Sequence, residues 1–306
     1  MTGFISFSSK DLKMFFTMKF PDKKELLKDK SKKYIIFIVL VIIIGLPVQE
    51  IAQEPLSRIQ SVKPSGEDVK GVYYNSRQFI KREPKTIIDT LKENGLNAVV
   101  VNVKNASGKL TYPSENELAR EMGAIIPRLN IESFIHQFHD AGIYVIARQV
   151  IFKDPELASY LGHSGIWVNP KNEKAVEYNI DIAKEVSNLG FDEIQLDYVR
   201  FDDDKGIGGN FEDRSLAITS FVRKTREALP HSINFSIDVY GRTLWNWNSK
   251  NKDPIGQNLD QLRSWVDYLS PMLYPSHYSQ PKLVNDPYHC VYTALDTGLK
   301  RASNLR

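Results

Sequence analysis

The sequence predicts an α/β fold of the (β/α)8 TIM-barrel type, with about six strand–helix units present, preceded by a hydrophobic segment near the amino terminus. Three observations predict it. Short β-branched runs alternate with helical patterns from Asp68 onward, one face of each run turns polar toward its carboxyl end, and no glycine-rich dinucleotide fingerprint follows the first run.

The strand candidates are Val69–Asn75, Ala98–Lys104, Ile143–Arg148, Glu193–Val199, Ile233–Val239 and Val266–Tyr274. Between them lie helices with readable ends. Asn130 is placed to cap a helix with Ile131, Phe134, Ile135 and Phe138 on one face, closed by Gly142. Asn169-Pro170 reads as a cap followed by proline at the first helical position, with Val176, Ile180, Ala183 and Val186 as the apolar stripe and Gly190 at the end. A third helix carries Ile218, Phe221, Val222, Thr225 and Leu229.

Side-chain alternation separates barrel from open doubly wound sheet. Strands covered on both faces would be apolar throughout. Here Val99, Val101 and Val103 oppose Asn102 and Lys104; Ile194 and Leu196 oppose Gln195 and Asp197; Phe235, Ile237 and Val239 oppose Asn234, Ser236 and Asp238. After Tyr274 one helix-like segment, Pro287–Leu299, remains. A closed eight-stranded wall needs two more strands, so the expectation is a fragment or an open sheet.

The 306 residues are 42% apolar and 25% charged, a globular composition. Residues 1–33 hold nine lysines and four acids; removing these from the totals of 40 basic and 37 acidic leaves 31 and 33. The basic excess belongs to the head, so the body lacks the charge that nucleic-acid binding needs. Tyr34 to Gln49 form an uncharged run of 16, short for a span and long for a signal core. The reading is a basic cytoplasmic head over 1–33, a membrane anchor or signal peptide over 34–49, a linker over 50–67, and the barrel over 68–306, extracytoplasmic or secreted. Cys290 alone permits no internal disulfide.

Chemistry gathers at strand ends. Asp197 closes the fourth strand and Asp238 approaches the end of the fifth. Neighbouring parallel strands lie about 4.8 Å apart, which predicts roughly 5–9 Å between the carboxyl groups, the range of retaining and inverting glycoside hydrolases. Lys104 and Arg148 would favour the ionised form of a carboxylate they approach. Asp197, one strand from Arg148, is assigned nucleophile or base, and Asp238 the acid. Trp245, Trp247, Tyr274, His277 and Tyr278 crowd the same rim, where aromatic rings stack on sugars. The candidate set is Asp197 and Asp238 for catalysis, with Lys104, Arg148, Arg200, Tyr274, His277 and Trp245 binding substrate. His136 and His139 read as a solvated pair, and Asp202-Asp203-Asp204 as a solvated loop; no metal or other cofactor is expected. Asp192 and Asp267 begin their strands and are placed outside the site.

Lys70-Gly71-Val72-Tyr73, Asn97 through Lys104, Tyr144 through Arg148, Phe152-Lys153-Asp154-Pro155, Gly190 through Phe201, and Tyr268 through Tyr278 together resemble a bacterial glycoside hydrolase family catalogued as a domain of unknown function, within the amylase-like clan of barrels. The resemblance implies a polysaccharide substrate at a cell wall or surface. Asn102 and Asn105 depart from it where acids would be expected. The alternative to an enzyme is a non-catalytic carbohydrate-binding or scaffold protein on a degenerate barrel.

Overall fold

In the computed structural model the described residues are 69–75, 78–79, 81–128, 130–203, 210–245 and 253–303. The chain divides into two units, 1–57 and 58–306, and every described residue lies in the second. The expected head, anchor and linker, the rim residue Trp247 and the loop residue Asp204 lie outside the described set. Among the described residues no helix is long and apolar enough to cross a membrane.

Six parallel strands form one sheet in sequential order: β1 (Gly71–Tyr74), β2 (Ala98–Lys104), β3 (Tyr144–Val150), β4 (Glu193–Asp197), β5 (Asn234–Tyr240) and β6 (Tyr268–Met272). This consecutive order is that of a (β/α)-barrel wall and differs from a sheet wound both ways from its centre. The helices are α1 (Pro84–Glu93), α2 (Glu117–Glu121), α3 (Ile131–Asp140), α4 (Pro155–Tyr160), α5 (Glu173–Ser187), α6 (Phe211–Ala228), α7 (Leu259–Leu262), α8 (Pro281–Asn285) and α9 (Pro287–Ser303).

Alternation sorts the two faces. Val99, Val101, Val145, Ala147, Ile194, Leu196, Phe235 and Ile237 are fully shielded within the main core, together with Ile87, Phe138, Ile182 and Phe221 from helices. Burying side chains of this size is worth about 1.5–3 kcal/mol each. Helix ends follow local chemistry. The Asn130 side chain accepts from Ser133 N at 3.1 Å, and Gly142 takes φ of +73° beyond the end of α3. In α6, Ile218, Phe221, Val222 and Thr225 form the buried face.

The cap of α5 differs from expectation. Asn172, not Asn169, accepts from Ala175 N at 3.0 Å. Asn169 instead folds a turn, its Oδ1 accepting from Lys171 N at 2.9 Å and its carbonyl from Asn172 N at 2.8 Å. The buried face shifts with it to Ala175, Tyr178, Asn179, Ile182, Ala183 and Val186.

One irregularity bears on the site. Asn102 is opposite Arg148, yet Lys104 is opposite Gln149, so Val103 is an extra residue on β2. A bulge of this kind reverses which face the next side chain takes.

Candidate active site

Asp197 and Asp238 stand at the carboxyl end of the wall. The β4–β5 register runs from Glu193 opposite Asn234 to Leu196 opposite Ile237, so the next residues, Asp197 and Asp238, come side by side. Asp197 acts on the Asp238 carboxyl both as a side-chain partner and as a neighbouring charge.

Asp197 collects donors. Arg148 directs Nε to Asp197 Oδ2 at 3.1 Å and places Nη2 on the same oxygen, while Tyr198 N donates to Oδ1 at 2.6 Å. Tyr198 has φ of +55°, left-handed backbone that a residue with a side chain seldom adopts. Arg148 Nη1 donates to Asn102 Oδ1 at 2.7 Å, and Asn102 Nδ2 donates to Tyr73 Oη at 2.7 Å. Arg148 also sits 5.3 Å from the centre of the Tyr73 ring. A polar chain thus crosses five strands, from Tyr73 on β1 to Asp238 on β5.

The two acids meet different electrostatics. Burial pushes the Asp238 carboxyl well above its ordinary value, the negative charge of Asp197 adds to the rise, and Arg148 opposes it. Arg148 is raised despite burial because Asp197 holds its charge. Burial also raises Tyr274, with Asp238 and Asp197 as the next causes, which places this half-exposed phenol in the field of the pair. Deeper in the wall, Glu193 is raised chiefly by burial while Ser236 and Tyr144 donate to it.

Of the expected substrate contacts, Lys104 is placed elsewhere and Arg200 is largely buried beside Tyr198. Lys104 is wholly buried, 2.6 Å from Asp154, with Nζ donating to Asn179 Oδ1 on α5 at 2.8 Å. The β2 bulge turns it away from the acids and into the helix layer. Asp154 also caps α4, accepting from Leu157 N at 3.0 Å, and presses against Gly108. Arg200 is buried between rings, 4.3 Å from the Trp167 centroid and 4.7 Å from that of Tyr240. It donates to Phe201 O at 2.9 Å.

Tyr274 and His277 are exposed and meet edge to face, 5.0 Å apart. Trp245 is half-buried, with Nε1 donating to Tyr278 Oη at 3.3 Å. Past β5 and β6 opens a cleft of about 320 Å³, lined by Tyr240, Gly241, Arg242, Met272, His277 and Tyr278, with Asp203 at its edge. Gly241 is required there, because a Cβ would lie 2.5 Å from Met272 O.

Sequence reasoning missed Tyr73, Trp167 and Tyr198 as features of this mouth. Tyr198 follows Asp197 directly, and that adjacency was the available signal. Tyr73 lies on a four-residue strand, too short for alternation to assign a face.

Elsewhere one reading is corrected. His139 is not solvated: its Nε2 lies 2.9 Å from Asp192 Oδ2, which also accepts from Val145 N at 2.8 Å. Asp203 is exposed, as read, and Arg242 Nη2 donates to it at 3.0 Å and to Asp253 Oδ1 at 2.8 Å. Asp267, before β6, accepts from Phe235 N at 2.8 Å. Among the described residues no three His, Cys, Asp or Glu side chains are grouped to hold a metal ion.

A parallel strand–helix wall with paired acids at its carboxyl end has the layout of a barrel-type hydrolase. Residues 71–306 match the family described as a putative glycosyl hydrolase domain, and the chain belongs to that family. Among solved structures, a hypothetical protein from Ruminiclostridium thermocellum ATCC 27405 is 32% identical over 55% of this chain and 97% of that one, with a TM-score of 0.49. The Bacillus cereus spore cortex-lytic enzyme SleL is 13% identical over 68% of this chain and 42% of that one, with a TM-score of 0.43. A chitinase from Bacteroides thetaiotaomicron is 16% identical over 68% of this chain and 54% of that one, with a TM-score of 0.42. The chain thus spans about half of each of these two enzymes. No curated protein matches.

Proposed function

We propose that this protein hydrolyses glycosidic bonds in a cell-wall or surface polysaccharide, with Asp197 and Asp238 as the catalytic pair. The observation that carries the reading is their opposite environments on adjacent strands. Asp238 is raised by burial and by Asp197, which suits a proton donor to the leaving oxygen. Asp197 is gripped by Arg148 and Tyr198 N, which suits an anion facing the positive charge that grows on the sugar ring. Tyr274 and His277 supply exposed rings for sugar faces. The lysine-rich head and uncharged run support a body carried outside the cytoplasmic membrane.

Asn102 and Asn105, standing where acids would be expected, favour a second reading, carbohydrate binding without turnover. Product release from a panel including chitin and peptidoglycan, by wild type, Asp197→Asn and Asp238→Asn, separates the two. The enzyme reading expects losses of at least a hundredfold in both variants. Equal rates in all three remove the catalytic assignment, and binding with no turnover by wild type selects the second reading.

A further inference from the structure

The mouth holds more cations than its acids answer. Arg148 is paired with Asp197, but Lys153 and Arg200 have no ion pair among the described residues. Both lie close to one ring: Lys153 Nζ is 5.0 Å and Arg200 Cζ 5.5 Å from the Tyr198 centroid, with the Trp167 ring 5.7 Å from it. Lys153 and Tyr198 are brought together by backbone, Phe152 N donating to Tyr198 O at 3.3 Å. Of the acids in this stretch, Asp154 is engaged by Lys104 and Asp203 by Arg242. Arg200 gives Phe201 O one of its five N–H donors. Aromatic faces offset part of the cost of holding cations out of water, but they supply no counter-charge.

We propose that Lys153 and Arg200, both beside Tyr198, form a subsite for a carboxylate-bearing sugar, so that the substrate is an acidic glycan. The site is the one proposed above for hydrolysis, and the inference rests on that reading for its place in the reaction. The carboxylate could come from a uronic acid ring or from a lactyl ether on an amino sugar. In either case the acid would dock beside Tyr198 while the glycosidic oxygen meets the aspartate pair.

The test uses two acidic glycans, polygalacturonate and peptide-free peptidoglycan strands, each beside a carboxyl-reduced counterpart with the same linkages. Affinity and turnover are measured for wild type, Lys153→Met and Lys153→Arg. The expected result is at least tenfold tighter binding of one acidic glycan than of its reduced form, weakening with salt. That ratio should collapse toward one in Lys153→Met and return in Lys153→Arg. Preference confined to polygalacturonate assigns the uronate, and preference confined to the strands assigns the lactyl group. Equal affinity for both acidic glycans and their reduced forms overturns the proposal, even where the reduced glycans are hydrolysed and the catalytic reading stands. Carboxyl-dependent binding with no turnover keeps the subsite and removes the catalysis.

Discussion

Arg148 reaches from β3 to Asp197 on β4 with two nitrogens on one carboxylate oxygen, and its remaining terminal nitrogen donates to Asn102 on β2. The guanidinium is therefore held from both sides before any ligand arrives. A planar fork fixed in this way delivers charge to one oxygen only.

Replacing it tests that arrangement. Arg148→Met should lower kcat/KM by about a hundredfold, ~2.7 kcal/mol of lost electrostatic stabilisation. Arg148→Lys should recover only part, because an ammonium cannot bond Asp197 and Asn102 in the same geometry. Steady-state kinetics on a hydrolysed glycan check both.

The raised Asp238 carboxyl sets a pH dependence of two kinds. A proton donor is lost as pH rises through its raised value, so kcat/KM should fall on the alkaline side. The folded protein also holds this proton more tightly than the unfolded chain does. Stability therefore declines as pH climbs from the ordinary carboxylate range to the raised value, and is flat above it. Asp238→Asn should remove the decline and gain about 2–4 °C in Tm at neutral pH, ~1 kcal/mol for a domain of this size. The gain should vanish in acid, read by thermal melts across pH.

Lys104 gives the opposite pattern. Lys104→Met leaves Asp154 buried without its partner and should cost about 3–5 kcal/mol in urea unfolding. Gly108→Ala should weaken the same corner, since its Cβ would come 2.2 Å from Asp154 Oδ1 and its φ is +75°. The activity of the remaining folded molecules should be little changed by either substitution.

Tyr73 is exposed at the rim, and its hydroxyl oxygen is already occupied by Asn102 Nδ2, which leaves its own proton to offer. Tyr73→Phe should reduce kcat/KM about five- to tenfold, the worth of one hydrogen bond, with stability changed by less than ~1 kcal/mol. Kinetics and a urea melt on the same preparation measure both numbers.

Much of the architecture was legible because it rests on periodicity. β2 was read end to end as Ala98–Lys104, and four residues of the buried face of α6 were read, with Leu229 falling one position past its end. Local choices between similar residues were not. Asn169 and Asn172 both suit a cap, and Pro170 favoured the first; only the turn over 169–172 decides for the second. His139 gained an acid partner from 53 positions away, which no local pattern shows. Counting to strand ends placed Asp197 beside Asp238, but the separation of their carboxyl groups depends on side-chain torsions that strand spacing leaves free. Lys104 was misplaced because alternation assumes one residue per step, and Val103 breaks that count.

That inserted residue has a chemical consequence at the mouth. Had Val103 taken an ordinary place in the ladder, Lys104 would have shared a face with Asn102 and brought a second cation to the side of Arg148. With the ammonium diverted behind the wall, Arg148 is left as the main counterweight to the rise of Asp238. The proton affinity of that carboxyl is thereby governed from one side chain, and a slip of one peptide unit in β2 would retune it.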